Sequence, residues 1–179
     1  MARIRVYIAT SMDGFIAGPE DDLSWLPTAH IEETDAVTFE GFLADVGVLL
    51  MGRRTYDVVR GFEGDWPYGE LPVLVATSRP LDDAPATVTP VGGTITSILA
   101  EAKQVAGERD VYLDGGNLVQ QALEADAVDE LIVTVVPILL GAGVRLFGET
   151  SKRIPLQFEA PQRYGSMVQL RARRAESPT

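Results

Sequence analysis

Apolar residues along this chain fall into short runs that are bounded by glycine, proline or charged residues. Residues 47–51 form a continuous apolar run, which is typical of a strand that is buried on both faces of a sheet. Residues 4–9 are rich in β-branched and aromatic side chains, which favour strands. By the same criteria, the sequence predicts strands at residues 4–9, 15–17, 47–51, 72–77, 88–91, 110–113 and 130–136.

Between these strands, apolar residues recur at the three- and four-residue spacing of amphipathic helices. This spacing predicts helices at residues 31–43, 55–59, 97–105 and 117–125. Strands that alternate with helices favour an α/β fold with a mostly parallel sheet. Residues 156–160 and 166–171 are predicted to pair across residues 161–165, which gives the sheet an antiparallel carboxy-terminal edge. We expect one domain over residues 1–175 and a frayed tail at residues 176–179.

Composition narrows the range of partners. The chain has 179 residues with 15 Lys and Arg against 26 Asp and Glu, a formal net charge of −11. Nucleic acids and anionic membranes are bound by clustered basic residues, so we expect neither as a partner. The chain has no cysteine, which excludes disulfides and thiolate metal ligands, and we expect no metal site. With no signal-like or membrane-length apolar run, a cytoplasmic protein is expected.

Three predicted strands end in glycine, hydroxyl or arginine residues. Residues 52–55 follow a buried strand and open a helix, whose free N–H groups and positive end favour an anion. Because parallel strands end at one edge of a sheet, these segments predict a single site for a phosphate-bearing cofactor and a nucleotide-dependent reductase. The alternative is a set of ordinary turns with solvated arginines. The candidate cofactor-binding residues are Gly52, Arg53, Arg54, Thr55, Thr77, Ser78, Arg79, Gly115, Gly116 and Asn117.

Several short motifs stand in a fixed order along the chain. They are residues 11–17 (Ser-Met-Asp-Gly-Phe-Ile-Ala), 24–26, 51–56, 114–116, 137, 141–143 and 146–147. This ordered set resembles the dihydrofolate reductase-like superfamily, and most closely the reductase domain at the carboxy terminus of bifunctional riboflavin-biosynthesis deaminase-reductases. The resemblance covers residues 4–171. It implies a three-layer α/β/α fold, dependence on NADPH and a homodimer.

The resemblance also assigns roles to individual residues. Residues 77–79 would meet the adenosine side of the cofactor, where the guanidinium of Arg79 suits a 2′-phosphate. Met12 and Ile16 would line the nicotinamide and substrate pocket, and Trp25 could stack on a flat substrate. Asp13, in the turn after the first strand, is the candidate catalytic residue that contacts substrate or relays a proton. The alternative for Asp13 is an ordinary Asp-Gly turn.

The implied reaction is hydride transfer to a small polar heterocyclic substrate, most like the reduction of 5-amino-6-(5-phosphoribosylamino)uracil. The phosphate of that substrate would need a cation, for which Arg60 and Arg145 are the candidates. The chain departs from the family at Asp114, where glutamate is usual, and no acid in the predicted helix 31–43 clearly matches the dihydrofolate reductase carboxylate. Dihydrofolate reduction remains an alternative, as does a non-catalytic nucleotide-binding protein.

Overall fold

A computed structural model describes residues 1–27 and 34–175. The strands in these residues are β1 (Ile4–Ser11), β2 (Phe15–Ala17), β3 (Val46–Gly52), β4 (Val73–Ala76), β5 (Val88–Val91), β6 (Asp110–Asp114), β7 (Glu130–Val136), β8 (Val144–Arg145), β9 (Leu156–Phe158), β10 (Gln162–Tyr164) and β11 (Met167–Arg174). The α-helices are α1 (Phe39–Leu43), α2 (Arg53–Arg60), α3 (Ile95–Ala106) and α4 (Gly116–Glu124). Within the same residues, no helix has the length and apolar character needed to cross a lipid bilayer.

The large sheet runs in the order β10-β11-β7-β1-β6-β3-β4-β5, with β9 paired to β11. From β7 to β5 every neighbouring pair is parallel. Strand β11 pairs antiparallel with β7, so the carboxy-terminal edge is antiparallel as the sequence predicts. Strands β2 and β8 form a separate two-stranded ribbon. Because the central strands are parallel, their carboxyl ends share one edge of the sheet.

Helices cover both faces of this sheet. On one face, Val48 and Leu50 of β3 are buried with Ala102 of α3 and Val119 of α4. On the other face, the buried cluster includes Phe42 of α1 and Tyr56 of α2. Alternate side chains of a strand point to opposite faces, so a continuous apolar strand fits between two helical layers. The three-layer α/β/α fold is confirmed.

The helix predicted at residues 31–43 is wrong over the first half of its described length and confirmed over the second half. Helix α1 begins at Phe39, with Thr38 as its N-cap accepting a hydrogen bond from the Gly41 N–H at 3.1 Å. The buried amide of Gln169 accepts a hydrogen bond from the Val37 N–H at 2.8 Å and donates one to the Val37 carbonyl at 3.0 Å. These contacts take up the backbone groups that an earlier helical turn would use. Residues 28–33, with His30 and the first part of the prediction, lie outside the described residues.

The carboxy-terminal edge differs in detail from the predicted pair. The tight hairpin joins β10 to β11, with Tyr164 opposite Met167, so the predicted turn at residues 161–165 contains a strand. Strand β9 pairs farther along β11, with Phe158 opposite Ala172. A tight turn needs only two residues, and Gly165 adopts the positive φ of 61° that such a turn requires.

A buried ion network joins the amino ends of the central strands, away from their carboxyl edge. Arg5 of β1, with 4% of its side chain exposed, contacts Glu130 of β7 and Asp110 of β6. Arg171 of β11 also donates to Glu130, and Arg3 contacts Asp110 at 2.6 Å. Buried charges are tolerated only when they are paired and hydrogen-bonded. The network therefore holds β1, β6, β7 and β11 in one register.

Candidate functional site

A cavity of about 810 Å³ runs along the carboxyl edge of the parallel strands. Its lining comes from β1, β6, β3, β4 and β5, which are neighbours in this order in the sheet. Small-molecule and cofactor sites typically measure roughly 300–1,000 Å³. The cavity is therefore large enough for an elongated ligand, at the edge where α/β sheets bind nucleotides.

Two helices begin in this cavity and their amino ends face each other. Gly52 is the N-cap of α2 and Gly115 is the N-cap of α4, and neither helix has a side-chain cap. Gly115 has a φ of 98°, and a Cβ atom there would lie 2.5 Å from Thr55 Oγ1 and 3.8 Å from the Gly52 nitrogen. The first N–H groups of both helices are thus left for a ligand, and both positive helix ends favour an anion.

The cavity brings together nine of the ten candidate cofactor-binding residues, from three separate segments of the chain. These residues are Gly52, Arg53, Arg54, Thr55, Thr77, Ser78, Gly115, Gly116 and Asn117. Arg79 is not among the lining residues, and it lies exposed directly after Ser78. Its backbone N–H donates to Thr77 Oγ1 at 3.1 Å, which forms a tight turn at the end of β4.

Carboxylates position both arginines of the cavity. Arg54 forms an ion pair with Asp21 at 2.8 Å, and both residues line the cavity. Arg53 pairs with Asp57 at 2.8 Å and donates to the Pro80 carbonyl at 3.0 Å. Asp21 has a φ of 61°, a left-handed conformation that non-glycine residues seldom adopt. Both arginines belong to the first turn of α2, and these partners fix where their guanidinium groups lie.

The catalytic role of Asp13 stays a prediction, and the structure shows how its carboxylate is held. Its carboxylate accepts hydrogen bonds from Ser11 Oγ at 2.6 Å, from the Gly141 N–H at 2.8 Å and from the Leu140 N–H at 3.1 Å. The Ser11 hydroxyl, together with these N–H groups, lowers the pKa of Asp13 to about 2. A carboxylate with this pKa is ionised at neutral pH. Asp13 is absent from the described lining, and it fastens the loop after β7 to the turn after β1.

The three predicted substrate-binding residues are separated in the structure. Ile16 lines the cavity from the β2–β8 ribbon. Met12 is 70% exposed and outside the lining. Trp25 is also outside the lining, and its indole N–H donates to the Asp22 carbonyl at 3.1 Å. Its neighbours Leu23 and Leu26 reach the cavity instead, so the turn contributes its aliphatic side chains.

The lining contains five aromatic residues that the sequence did not predict, namely Phe62 and a group of four. Tyr7 and Phe39 lie with ring centroids 5.6 Å apart, and Phe39 and Tyr112 are 6.2 Å apart. Tyr68 completes the group. Tyr112 donates to the Tyr7 carbonyl at 3.0 Å, and Tyr7 donates to the Val37 carbonyl at 2.9 Å. We call these four residues the aromatic wall. In the sequence, three of them fall in predicted strands or helices, where core packing is the ordinary explanation.

Asp114 lies at the end of β6, next to the aromatic wall. It lines the cavity and accepts a hydrogen bond from the Gly115 N–H at 2.8 Å. Burial raises the pKa of Asp114 to about 6, and the Gly115 hydrogen bond only partly opposes this rise. The raised pKa comes from tertiary burial that the sequence does not show.

The three-layer α/β/α fold, with a cavity at the carboxyl edge of its parallel sheet, is that of the dihydrofolate reductase-like class. The dihydrofolate reductase of Enterococcus faecalis, in complex with NADP(H), has a TM-score of 0.64, with 97% of each chain covered. At 14% identity, that likeness shows the fold alone. The family model of the RibD C-terminal domain matches residues 2–170, and the chain belongs to this family.

Two other proteins, each more than 30% identical to this chain, match it over nearly its whole length. A protein of Shewanella sp. PV-4, described as a "Putative riboflavin biosynthesis protein", is 34% identical with a TM-score of 0.84, covering 98% of this chain and 100% of that one. The uncharacterized protein YwjB of Bacillus subtilis is 31% identical over 170 residues, which is 95% of this chain and 97% of YwjB. The family and these neighbours support a reductase of the RibD type.

Proposed function

We propose that this protein is an NADPH-dependent reductase of a small polar heterocyclic substrate. The observation that carries the proposal is the meeting of two uncapped helix N-termini at Gly52 and Gly115 on the carboxyl edge of the sheet. This arrangement suits a pyrophosphate, because backbone N–H groups and both helix dipoles favour its charge. Arg53 and Arg54 at the same place add charge-assisted contacts.

The residues present fit NADPH along the cavity. The pyrophosphate would lie between residues 52–55 and 115–117, and the adenosine would extend over β4 and β5 toward Thr77, Ser78 and Gly92. Gly115 keeps the space between α4 and Thr55 clear of a side chain. When bound, NADPH supplies the hydride for the reaction.

The other residues of the cavity would orient the substrate and handle the proton. The aromatic wall presents ring faces to a flat molecule and excludes water from it. Asp114 can hold a proton on its carboxyl near neutral pH, because burial raises its pKa to about 6. Asp13 acts at a distance by fixing the loop that leads to Val144, a residue of the cavity lining.

Titration with NADPH and with NADH, followed by tryptophan fluorescence, tests the cofactor. Trp66 reports on the cavity because its ring lies 5.4 Å from that of Tyr68. We expect saturable binding with NADPH preferred. Arg79→Ala should weaken NADPH binding about tenfold and leave NADH binding unchanged, since a charge-assisted contact contributes ~1.5–3 kcal/mol. An equal loss for both nucleotides would remove Arg79 from the 2′-phosphate site, and no binding of either would refute the proposed cofactor.

A second prediction concerns the ion pair that holds Arg54. Asp21→Asn should tighten NADPH binding about three- to tenfold, because the nucleotide no longer competes with a carboxylate for the guanidinium. Asparagine tolerates the left-handed backbone at this position, so the turn should be preserved. Asp22→Asn removes the same charge one residue away, outside the lining, and should have no effect. Unchanged or weaker binding in Asp21→Asn would show that Arg54 does not contact the cofactor.

Turnover separates the proposed reductase from its alternatives. The reaction suggested by the family resemblance is reduction of the ribosyl carbonyl carbon of 5-amino-6-(5-phosphoribosylamino)uracil, and this compound is assayed first, by loss of NADPH absorbance. Dihydrofolate is assayed beside it, with methotrexate as inhibitor. Tight NADPH binding without turnover across a panel of carbonyl and imine compounds would favour a non-catalytic nucleotide-binding protein.

A further inference from the structure

We infer that the substrate of this site is an uncharged, planar nitrogen heterocycle that carries no phosphate group. The inference rests on the proposed function, because it takes the nucleotide to occupy the cavity over β3, β4 and β5. The evidence for it is the distribution of side chains along the cavity. The aromatic wall and Asp114 lie at one end, whereas Arg53 and Arg54 lie at the start of α2.

The end left for a substrate lies over β6 and β1. The helix N-termini meet beside β3 and β6, and the lining continues away from β1 through Thr77, directly after β4, and Gly93, just after β5. In the opposite direction it continues to Tyr112 on β6 and Tyr7 on β1. The adenosine half of the nucleotide would extend over β4 and β5, and the nicotinamide half would extend from the helix N-termini toward β6 and β1. The substrate would therefore meet the nicotinamide beside the aromatic wall.

The aromatic wall suits a flat and uncharged molecule. Burial raises the pKa of Tyr7, Tyr68 and Tyr112 above the usual value, so all three hydroxyls stay protonated and neutral. Aromatic rings bind flat heterocycles by offset stacking and edge contacts. Leu23 and Leu26 add further apolar surface to the lining.

Among residues 1–27 and 34–175, the cationic side chains that line the cavity are those of Arg53 and Arg54. Both belong to the start of α2, where the pyrophosphate would lie. The two arginines considered for binding a substrate phosphate, Arg60 and Arg145, are not lining residues. Arg60 donates to the Asp83 carbonyl at 3.2 Å, and the Arg145 guanidinium stacks 4.5 Å from the centroid of the Phe15 ring. Beyond the described residues, the sequence has His30 as its one basic residue.

Asp114 makes the same end unfavourable for an anion. It is a partly buried carboxylate whose described polar contact is the Gly115 N–H, with no cation bonded to it. By contrast, Asp21, the other carboxylate of the lining, is paired with Arg54. A substrate phosphate at the aromatic wall would meet the charge of Asp114 with no arginine to offset it, whereas the pyrophosphate would have Arg53, Arg54 and two helix ends beside it. A ring N–H or amino group of the substrate would instead donate a hydrogen bond to Asp114.

Calorimetric titration of the NADP⁺-saturated protein with a matched pair of probes tests the inference. The probes are 5-amino-6-(5-phosphoribosylamino)uracil and the same compound without its phosphate. We expect the unphosphorylated compound to bind at least about tenfold more tightly, equal to ~1.4 kcal/mol. Asp114→Asn should reduce this preference severalfold, whereas Asp82→Asn, an exposed change outside the lining, should leave it unchanged.

Each result decides the question. Equal or tighter binding of the phosphorylated compound overturns the inference and indicates that a cation outside the described lining reaches the substrate. Failure of both the unphosphorylated compound and the simpler heterocycle pterin to bind also overturns it. Saturation by NADP⁺ is measured first in the same protein, so a failed cofactor site is distinguished from a wrong substrate class.

Discussion

Replacing Gly115 by alanine is expected to reduce NADPH affinity about 100-fold, equal to ~2.8 kcal/mol. The new Cβ would lie 2.5 Å from Thr55 Oγ1 at a φ of 98°, so the Thr55 hydroxyl must turn away and the strained backbone at the start of α4 must shift. A pyrophosphate then loses hydrogen bonds to one of the two helix ends, and charge-assisted hydrogen bonds contribute ~1.5–3 kcal/mol each. Affinity is measured by fluorescence titration with NADPH.

Gly107→Ala is the matched control for this change. Gly107 ends α3 with a φ of 65°, so alanine there meets a comparable backbone penalty, but its Cβ would have no atom within 4 Å. Both variants should unfold at lower urea concentration than the parent protein, and only Gly115→Ala should lose NADPH affinity. Equal NADPH affinities in the two variants would show that the helix N-termini do not hold the cofactor.

Glu130→Gln is expected to lower the free energy of unfolding by about 3 kcal/mol, because it leaves the charge of Arg5 buried without its main partner. Glu130 is 1% exposed and accepts from both Arg5 and Arg171. Urea unfolding at neutral pH measures the change. Glu159→Gln is the control, since Glu159 pairs with Arg171 and Arg173 but is 41% exposed. Exposed pairs contribute only ~0–1 kcal/mol, so the two variants should differ clearly.

The same network predicts the dependence of stability on pH. Burial alone would raise the pKa of Glu130, but hydrogen bonds from Arg171 and Arg5 outweigh burial and lower it. For Asp110, burial is likewise outweighed by Arg3, and its pKa is lowered. A carboxylate with a lowered pKa in the folded state stabilises the fold above its unfolded pKa, about 4 for these groups. The contribution of this network to stability should therefore be level above about pH 5 and fall as the pH drops through the folded pKa values, with a shallower fall in Glu130→Gln.

If Glu130→Gln unfolds at the same urea concentration as Glu159→Gln, the buried ion pair contributes no more than an exposed one. NADPH binding serves as an independent readout in these variants. The network lies at the amino ends of the strands and the cavity at their carboxyl ends, so a folded Glu130→Gln protein should keep its NADPH affinity.

Much of the fold was predictable from local sequence. The strand at residues 47–51 was recognised from its unbroken apolar run, because burial on both faces leaves no position for a polar side chain. The predicted start of the helix at residues 31–43 was wrong, because apolar spacing cannot reveal Gln169. This residue is more than 120 positions away and holds Val37 by two hydrogen bonds. The short strand β8 was missed because two residues carry no periodic pattern, and its pairing with β2 is a long-range contact.

In the candidate site, too, some residues were predictable from local sequence and others depend on long-range contacts. Gly52, Thr77 and Gly115 were identifiable because parallel strands end at one edge, so strand-end motifs that are distant in the chain become neighbours. The environment of Asp13 was not predictable, because it is formed by the N–H groups of Leu140 and Gly141, which the sequence does not place. Asp114 acquires its raised pKa only when neighbouring elements exclude water from it.

The sequence by itself determined the α/β class, the parallel order of strand and helix, and the three strand-end segments that form the phosphate-binding candidate. It could do so because hydrophobic period and strand-end chemistry are properties of neighbouring residues. Only the tertiary structure decided that Arg54 pairs with Asp21 and that four aromatic rings form one wall. It also decided that Asp114 lies beside this wall with no cation paired to it among residues 1–27 and 34–175. Burial, ion pairing and pKa depend on residues brought together across the sheet, and no local pattern encodes their distance.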